Sequence, residues 1–458
     1  MDLDVSGYDR SAVTPGIVHI GVGGFHRAHQ AVFIDDVLAL GDLTWGIVGV
    51  GLLPGDAETV RRARAQDCRY SLTTVDPDGQ EHTRVIGSIL DHLHAPEDTG
   101  QILDLLASPG IRIVSLTITE GGYELTDALR TAGEQPPRSV WGFLLEGLRR
   151  RREAGLPPFT VLSCDNIQGN GEAARRALTG FARGHDPGMA DWVAEHVAFP
   201  NSMVDRITPV VTPELAADLL ARLGLVDAWP VRAEAFIHWV VEDHFPVGRP
   251  PLERVGAQLV PDVAPFERMK LRLLNASHQV MSHLGLLAGF TMVHETCRDE
   301  RFSRFIRRYM LEEAVPTLGT VPGTDLEHYC DQLMERFRGT HLADTLARQV
   351  VDSSDRIAKF LMPVVRDQLA TNGPVGIAAL VLAAWRTRIL TVADLTDRRA
   401  EELRRWAGRD EQAPGTFLEF SEVFDDLGGH PRLREAYVCA LASLTESGAA
   451  GAVARLAP

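Results

Sequence analysis

The first half of the chain alternates short apolar runs with longer amphipathic stretches. Each apolar run has the length of a buried strand, and each amphipathic stretch has the spacing of a helix. Alternation of this kind predicts strand–helix–strand crossover units and a mostly parallel sheet. The predicted strands are 16–21, 45–50, 111–119 and 159–164, and the predicted helices between them include 26–40 and 96–106.

An inserted hairpin is predicted within this alternation. The tetrapeptide 76–79, Asp-Pro-Asp-Gly, has the residue types of a tight turn. The flanking runs 70–75 and 82–86 are therefore predicted to pair as antiparallel strands. Two later runs, 203–211 and 234–242, are expected to extend the sheet as further strands.

The pattern becomes helical near residue 262. Apolar residues recur at i, i+3, i+4, i+7 and i+8 across 302–310, as in a helix that buries one face. No low-complexity tract or flexible linker divides the chain. We therefore predict an α/β protein in which residues 1–261 carry the mostly parallel sheet and residues 262–458 form a mainly α-helical C-terminal domain. Further helices are predicted at 326–337, 355–369, 375–390 and 431–444.

Composition narrows the class of partner. The 458 residues carry a formal net charge of −16, whereas a nucleic-acid binder needs a basic surface to meet phosphates. No apolar stretch reaches the length of about 18 residues that spans a membrane. The five cysteines form no CxxC pair, so neither a disulfide framework nor cysteine-bound zinc is indicated. We expect a cytoplasmic monomer or small homo-oligomer that binds a small molecule, not nucleic acid or a membrane.

A glycine turn follows the first predicted strand, where IVHI (17–20) leads into GVGGFH (21–26). Gly21 would permit a tight turn, and Gly23 would let the backbone approach a pyrophosphate at the start of a helix. The usual third glycine is replaced by His26, for which Gly24 could partly compensate. A plain structural turn is the alternative, but a strand before the turn favours a Rossmann-like dinucleotide-binding domain.

An acidic residue that binds the adenosine ribose is expected after the second strand. The first candidate, Asp56, lies 32 residues beyond Gly24, whereas the usual spacing is about 20. A solvated loop carboxylate is therefore an open alternative, although the loop 52–55 could fold Asp56 back over the ribose. No Arg or Lys occurs in 45–59 to meet a 2′-phosphate, which favours NAD over NADP.

Lys270, Asn275 and His278 lie in a helical stretch and are candidates for chemistry. On a regular helix, Asn275 would lie about 140° from Lys270, with His278 between them at about 80°. A solvated helix face is the ordinary interpretation. The alternative is alcohol oxidation, because a buried lysine can act as a base near neutral pH and asparagine can donate to a developing alkoxide.

Two further candidates follow predicted strands. Glu120 comes after 111–119, and Asn166 comes shortly after 159–164. Ligands of open parallel sheets bind beyond the carboxyl ends of strands, although Glu120 could equally cap a helix and Asn166 a loop. None of the histidines belongs to a zinc signature such as HExxH, so no catalytic metal is expected.

The motifs together carry a family resemblance. The chain resembles the polyol-specific long-chain dehydrogenases, also called the mannitol dehydrogenase family, through GVGGFHRAHQ (21–30), SLTITEGGY (115–123), SCDNIQGNG (163–171), FPNSMVDRITP (199–209) and KLRLLNASH (270–278). The resemblance implies NAD-dependent, metal-independent oxidation of a polyol to a ketose, with D-mannitol and D-fructose as the leading pair. D-Arabinitol dehydrogenases and hexuronate (fructuronate or mannonate) reductases share much of the pattern. A non-catalytic NAD-binding sensor is the alternative from another class.

The resemblance also implies roles for the candidate residues. Lys270 matches the catalytic base, and Asn166 and Asn275 match the pair that holds the alkoxide. His278 matches a residue that binds substrate hydroxyls and helps to place the base. Glu120 matches a carboxylate that passes protons between the base and solvent. Asn166, Lys270 and His278 are thus expected to contact substrate.

The resemblance extends to the cofactor and to a further substrate residue. Arg348 occupies the position of a substrate-side arginine. The nearby DSSDR (352–356) departs from the more usual Asp-Gly-Ser-x-Lys, and Gly55 stands where mannitol enzymes can carry a second acidic residue. The residues expected to bind NAD are Gly21, Gly23, Gly24, Phe25, Arg27 and Asp56.

Overall fold

The computed structural model describes residues 4–5, 7–126, 137–211, 213–224, 226–340 and 344–457. They form two compact units. The N-terminal unit comprises Met1–Asp76 and Gln80–Ala264, and the C-terminal unit comprises Pro77–Gly79 and Pro265–Pro458. The domain boundary expected between residues 261 and 262 stays a prediction. No helix within the described ranges is both long and apolar enough to cross a membrane.

The N-terminal unit contains both strands and helices. Its strands are β1 (Asp4–Val5), β2 (Pro15–Ile20), β3 (Gly46–Gly51), β4 (Tyr70–Val75), β5 (Glu81–Ile86), β6 (Ile89–His94), β7 (Ile113–Leu116), β8 (Thr160–Ser163), β9 (Ser202–Asp205), β10 (Val231–Glu234), β11 (His238–Glu242) and β12 (Gln258–Val260). Its helices are α1 (Gly24–Ala28), α2 (Gln30–Ala39), α3 (Ala57–Ala65), α4 (Ala95–Ala107), α5 (Val140–Glu153), α6 (Asn170–His185), α7 (Pro187–His196) and α8 (Pro213–Leu223).

The central sheet of this unit is parallel, in the order β6-β3-β2-β7-β8. β3 and then β6 extend the sheet on one side of β2, and β7 and then β8 extend it on the other side. This reversal creates a crevice beside β2, which is where open α/β sheets bind ligands. The predicted Rossmann-like arrangement with a mostly parallel sheet is confirmed.

Apolar side chains cover both faces of this sheet. Ile17 and Val18 are neighbours on β2 but belong to different clusters, because successive strand side chains point to opposite faces. Val18 packs in the cluster that contains Trp141 of α5. Ile17 packs in the cluster that contains Phe33 of α2 and Trp239 of β11. The central sheet is therefore buried on both sides, as expected for parallel strands.

The later strands do not extend the central sheet, contrary to prediction. β9 and β12 flank β11 in a separate sheet, and the expected hairpin of β4 and β5 belongs to a third sheet, in the order β1-β5-β4-β10. The run 234–242 divides between the two smaller sheets. The Ala235 N–H still donates to the Val75 carbonyl (3.0 Å), whereas His238 already pairs with Asp205. The chain thus changes sheets within three residues.

Two other details differ from prediction. β6 was not predicted, because Asp91, His92 and His94 hide its apolar period. The helix expected over 26–40 is broken at His29, which has φ −127° and ψ −89°. The His29 ring accepts from the Gln30 side chain (3.0 Å) and contacts the His238 carbonyl (3.1 Å). This contact with β11 supports the break, which contains neither glycine nor proline.

The C-terminal unit is helical, as predicted. Its helices are α9 (Ala264–Met269, which begins at the last residue of the N-terminal unit), α10 (Ala276–Leu287), α11 (Val293–Arg298), α12 (Glu300–Arg308), α13 (Leu326–Arg338), α14 (Leu346–Gln349), α15 (Ser353–Arg356), α16 (Met362–Ala370), α17 (Gly376–Thr391), α18 (Ala400–Gln412), α19 (Ser421–Phe424) and α20 (Pro431–Leu456). Segments with π-helical hydrogen bonding lie at Lys270–Asn275, Tyr309–Ala314 and Ile357–Leu361. The last of them interrupts the helix predicted over 355–369.

The core of this unit is built around α17. Apolar residues occur on all sides of α17, and most of its length is buried, as expected of a central helix. It packs against α10 and α20. Its Trp385 ring lies 5.1 Å from Phe417 and 6.3 Å from His283 of α10, measured between ring centroids. α10, which continues from the predicted catalytic stretch, is thereby fixed to the centre of the unit.

Glu313 is a buried carboxylate at the start of this central helix. It accepts hydrogen bonds from the backbone N–H groups of Ile377 (2.7 Å) and Ala378 (2.9 Å). Burial outweighs these bonds and raises the pKa of Glu313 from 4.5 to about 7. Ionisation of Glu313 is therefore less favourable in the folded protein than in the unfolded chain.

Replacing Glu313 with glutamine is expected to remove a pH-dependent loss of stability. The contribution of the protonated carboxyl is fully present below pH 4.5 and is lost as the pH rises through about 7, a change of about 3 kcal/mol. Denaturant unfolding of both proteins across this pH window measures the effect. The free energy of unfolding of Glu313→Gln, relative to that of the wild type, should increase as the pH rises. The exposed neighbour Glu312 provides the control. An equal change in the stability of Glu312→Gln with pH would contradict the assignment to Glu313.

Candidate active site

The carboxyl ends of the central strands bring several predicted residues to one edge. Ile20 of β2 lies beside Val50 of β3 and beside Leu116 of β7, and Leu116 lies beside Ser163 of β8. The strands therefore end level with one another. The segments that follow them carry the glycine turn, Asp56, Glu120 and Asn166, in separate loops along this edge.

Gly21 forms the tight turn at the end of β2. Its φ is +97°, a conformation that favours glycine. Its N–H donates to the Val50 carbonyl (3.0 Å), and its carbonyl accepts from the Thr117 hydroxyl (2.7 Å). A Cβ at this position would lie 2.1 Å from the Thr117 carbonyl oxygen. Both the backbone conformation and the packing therefore require glycine at position 21.

Gly23 and Gly24 differ from Gly21, because the protein leaves space around them. A Cβ on Gly23 or Gly24 would meet its nearest neighbour at 3.9 Å or 3.7 Å, which is ordinary contact. The absence of side chains here is thus not explained by the packing of the described residues. It suits a ligand that approaches the backbone at the crevice, as a dinucleotide pyrophosphate does.

His26, at the usual third glycine position, packs helix α1 against β2. Its ring stacks on His19 of β2, with ring centroids 3.4 Å apart and planes within 10°. Burial lowers the pKa of His26 well below 6.5, and that of His19 to about 3. Both rings are therefore neutral at pH 7. Close helix–strand packing, normally permitted by glycine, is achieved here by two stacked neutral imidazoles.

Phe25 and Arg27 have contacts within the N-terminal unit. The Phe25 ring stacks on His29 at 5.0 Å. The buried Arg27 guanidinium lies 4.2 Å from the centre of the Trp229 ring and donates to the Trp229 carbonyl. The Arg27 carbonyl accepts from the Tyr70 hydroxyl (2.7 Å). These contacts hold α1 against the rest of the N-terminal unit. The expected roles of Phe25 and Arg27 in binding a cofactor stay predictions.

Asp56 folds back to the end of β3 despite its distance along the chain. Its carboxylate accepts from the Leu53 N–H (2.8 Å). A Cβ on Gly51 would lie 2.7 Å from the Asp56 Cβ. The side chain of His94, which ends β6, contacts the Leu53 carbonyl (3.1 Å) and supports the same loop. The long spacing between Gly24 and Asp56 is therefore compatible with a carboxylate at the strand end.

Glu120 and Asn166 are exposed after β7 and β8, respectively. Asp165, which is not among the candidates predicted from the sequence, connects the two loops. Its buried carboxylate accepts from the backbone N–H groups of Ile118 (3.0 Å) and Thr119 (2.8 Å). Burial raises the pKa of Asp165. Its place immediately before Asn166 at a strand end was the available sequence signal.

Lys270 and Asn275 do not lie on a regular α-helix, contrary to prediction, whereas His278 lies on α10. Lys270–Asn275 is a π-turn in which the Ala276 N–H donates to the carbonyl of Leu271, five residues earlier. Because hydrogen bonding from i to i+5 puts more residues into one turn than an α-helix has, residues five apart lie closer to the same side of the helix. Lys270 and Asn275 are therefore nearer in angle than the 140° expected of an α-helix. π-Turns of this kind are frequent at functional sites.

Long-range contacts support the π-turn from its outer side. The Tyr309 hydroxyl donates to the Arg272 carbonyl (3.2 Å). The Arg272 guanidinium donates to the Thr317 carbonyl (2.8 Å) and to the Asp367 carboxylate (2.6 Å). These partners lie between 37 and 95 residues away along the chain. The turn is therefore fixed by the tertiary structure.

Asn275 and His278 each carry a buried polar atom that no described residue satisfies. Asn275 Oδ1 and His278 Nε2 are buried and have no hydrogen-bond partner among the described residues. The His278 ring packs 5.1 Å from Phe337, and burial lowers the pKa of His278 to about 4. The imidazole is thus neutral at pH 7. Unsatisfied buried polar atoms are costly, and a hydroxyl-bearing ligand would satisfy them.

Lys270 begins this π-turn and is 6% exposed. All but two of the 46 basic residues of the chain are arginines, and the other lysine is the exposed Lys359. Arginine remains protonated in proteins, whereas a lysine amine can lose its proton when buried. A buried lysine in an arginine-rich chain is therefore consistent with a position that requires a base.

Arg348 lies on the short helix α14. Its guanidinium donates twice to the buried Asp344 carboxylate, at 3.0 and 2.8 Å. Arg356, in the segment that departs from the family pattern, is near the Gln349 carbonyl (3.3 Å), and burial lowers its pKa. The substrate-side role expected for Arg348 stays a prediction. No group of three or more His, Cys, Asp or Glu side chains in the described part of the chain is arranged to hold a metal ion.

Two family models match the chain. The model of the mannitol dehydrogenase Rossmann domain matches residues 15–254, and that of the mannitol dehydrogenase C-terminal domain matches residues 262–445. A mannitol 2-dehydrogenase of Phaeosphaeria nodorum is 42% identical over 479 residues, which cover 100% of this chain and 84% of that protein. One from Aspergillus fumigatus is 41% identical over 462 residues, which cover 95% of this chain and 92% of the relative.

Solved structures share this fold over nearly the full length. The mannitol 2-dehydrogenase of Pseudomonas fluorescens, in a ternary complex with NAD and D-mannitol, is 39% identical with a TM-score of 0.85 and covers 99% of this chain and 96% of its own. A D-sorbitol dehydrogenase in substrate-free form is 34% identical with a TM-score of 0.91 and covers 98% and 97%, respectively.

Proposed function

The chain belongs to the mannitol dehydrogenase family of NAD-dependent polyol oxidoreductases, and from that premise we propose that it interconverts D-mannitol and D-fructose. The family resemblance inferred from the five sequence motifs is thereby confirmed. The oxidation removes a hydride from a secondary alcohol carbon and a proton from its hydroxyl. The proposed reaction requires no metal.

Two unsatisfied polar atoms, one in the π-turn and one in the first turn of α10, are the observation that carries this proposal. Asn275 Oδ1 and His278 Nε2 are buried and lack partners within the described ranges, and Lys270 begins the same turn. A neutral imidazole and an amide suit the hydroxyl groups of a polyol. The charge of Arg348 is balanced by Asp344 at 2.8 Å, which also supports a neutral substrate rather than a hexuronate.

The N-terminal unit has the features that NAD requires. The unobstructed backbone at Gly23 and Gly24 suits the pyrophosphate, and the tight turn at Gly21 aims this backbone at the crevice. The Asp56 carboxylate at the end of β3 suits the ribose hydroxyls. When bound, NAD supplies the acceptor for the hydride that leaves the alcohol carbon.

Side chains of this protein are proposed to remove the hydroxyl proton and to stabilise the resulting alkoxide. We propose that the Lys270 amine removes the hydroxyl proton and that the side-chain amides of Asn166 and Asn275 donate hydrogen bonds to the resulting alkoxide. Because His278 is neutral at pH 7, it binds a neighbouring hydroxyl without adding charge. The exposed Glu120 exchanges the removed proton with solvent. Such preorganised donors stabilise the charge as it develops.

Replacing Asp56 with alanine is expected to narrow the preference for NAD over NADP by at least about tenfold. The carboxylate should repel a 2′-phosphate, and the variant loses this repulsion. The ratio of kcat/KM for NAD to that for NADP measures the effect. Glu58→Ala is the matched control, because Glu58 is an exposed acid two residues away that pairs with Arg61 and Arg62. A wild type that prefers NADP, or an equal change in the control, would contradict the assignment.

A substrate panel tests the proposed reaction as a whole. The protein is assayed with NAD and then with NADP on four compounds: D-mannitol, D-arabinitol, D-sorbitol and D-mannonate. The rate of NADH or NADPH formation is measured for each. We expect the highest kcat/KM with D-mannitol and NAD. A preference for mannonate would identify a hexuronate reductase instead. NADH binding without turnover of any substrate would favour a non-catalytic sensor.

A further inference from the structure

Thr119 adopts a backbone conformation that a threonine rarely accepts. Its φ is +63° and its ψ is 167°, a region used almost exclusively by glycine. A β-branched side chain makes this conformation still less favourable. Thr119 comes immediately before Glu120, at the carboxyl end of β7. Strained residues of this kind persist only where the surrounding structure holds them, and they cluster at functional sites.

Asp165 is the group that holds this turn. One carboxylate oxygen accepts from the Thr119 N–H (2.8 Å), and the other accepts from the Ile118 N–H (3.0 Å) and from the Tyr123 hydroxyl (2.5 Å). Tyr123 also hydrogen-bonds to the Ser163 hydroxyl (2.6 Å) at the end of β8. A buried carboxylate with these three donors ties the loop after β7 to the loop after β8.

The same residue fixes a second functional loop through its backbone. The Asp165 carbonyl accepts from the Asn170 side chain (3.0 Å), and that amide also donates to the Ser202 carbonyl (2.7 Å). Asn166 follows Asp165 directly, in the loop that these bonds close. One buried side chain is therefore adjacent in sequence to Asn166 and hydrogen-bonded to the residue that precedes Glu120.

We propose that Asp165 is a positioning residue that holds Thr119 in its strained conformation and thereby sets the orientations of Glu120 and Asn166. The proposal rests on the proposed function, in which those two residues handle the proton and the alkoxide. Asp165 touches neither substrate nor cofactor in this role. It acts by keeping two separate strand-end loops in one fixed arrangement.

The test compares Asp165→Asn with a matched buried aspartate of the same unit. Asp227 also accepts from backbone N–H groups, those of Ser71 (2.6 Å) and Trp229 (2.7 Å), but lies in a different hydrogen-bond network. We expect Asp165→Asn to lower kcat for D-mannitol oxidation by about 10²-fold and to move its pH profile in the same direction as Glu120→Gln. NADH affinity should be unchanged. Asp227→Asn should leave the pH profile of turnover unmoved.

A second substitution separates positioning from plain structural support. Glycine accepts the Thr119 conformation without strain, so adding Thr119→Gly to Asp165→Asn should restore kcat by about tenfold or more. If Asp165→Asn fails to fold, Tyr123→Phe removes a single hydrogen bond to the carboxylate and should give a smaller loss with the same direction of pH shift.

Three outcomes would overturn the proposal. Asp165→Asn could behave like Asp227→Asn, Thr119→Gly could fail to restore turnover, or Tyr123→Phe could leave both turnover and the pH profile unchanged. The variants Glu120→Gln and Asn166→Ala distinguish a failure of this proposal from a failure of the proposed function. If these two lose turnover and Asp165→Asn does not, the positioning role is wrong and the proposed function stands. If neither loses turnover, the roles in the proposed function are wrong and the positioning proposal falls with them.

Discussion

Replacing Lys270 with alanine is expected to lower kcat for D-mannitol oxidation by at least about 10²- to 10⁴-fold, the usual contribution of a general base. The hydroxyl proton must leave as the hydride departs, and Lys270 is the proposed acceptor. In the reverse reaction, the same group as an ammonium would polarise the ketone, so ketose reduction should lose a similar factor. Steady-state oxidation and reduction, alongside NADH binding by fluorescence, measure the effect. NADH binding should be nearly unchanged, because the glycine turn belongs to the other unit.

Two further variants serve as controls for Lys270→Ala, because the chain contains two lysines and is otherwise rich in arginine. Lys270→Arg keeps the positive charge but cannot release a proton at ordinary pH, so it should lose activity as Lys270→Ala does. Lys359→Ala removes the other lysine of the chain and should retain wild-type turnover. Small added amines are expected to restore part of the oxidation rate in Lys270→Ala by acting as free bases. An active Lys270→Arg would show that charge alone is required at this position.

Replacing Asn275 with alanine should cost about 2.7–4 kcal/mol of transition-state stabilisation, or roughly 10²- to 10³-fold in kcat. The amide is proposed to donate to the alkoxide that forms when Lys270 takes the proton. Asn166→Ala should produce a loss of the same order. Steady-state kinetics with D-mannitol as the varied substrate would separate kcat from KM.

Aspartate at the same position refines this second prediction. Asn275→Asp has nearly the same size, but it replaces the amide donor with a group that is negatively charged when ionised. It should therefore be no more active than Asn275→Ala near neutral pH. An Asn275→Asp variant with wild-type kcat would exclude the donor role. A large rise in KM with kcat unchanged would show that Asn275 binds substrate and transition state equally.

The parallel sheet of the N-terminal unit could be predicted because its strands are apolar runs with local signals at their ends. β2, β3, β7 and β8 all fall on predicted strands. β6 could not be recognised, since its polar residues conceal the apolar period. The break at His29 was equally hidden, because the contact of the His29 ring with the His238 carbonyl spans 209 positions of sequence.

The identity of the candidate catalytic residues was accessible from the sequence, but their geometry was not. The π-turn at Lys270–Asn275 is supported by hydrogen bonds of Tyr309 and Asp367 to Arg272. The periodicity of a short stretch of sequence contains no information about partners this distant along the chain. The hydrogen bonds accepted by the Asp165 carboxylate could not be predicted for the same reason, because their donors lie 42 to 47 residues earlier in the chain.

The pH dependence of D-mannitol oxidation, measured side by side for the wild type and Lys270→Ala, most directly tests whether Lys270 is the base of a polyol dehydrogenase. We expect the wild-type kcat to rise with pH to a plateau as the base loses its proton, and the variant to lack this rise. If Lys270→Ala keeps about a tenth or more of the wild-type turnover, a loss well below that of a general base, and its pH profile is unmoved, Lys270 is not the base and the proposed mechanism is wrong.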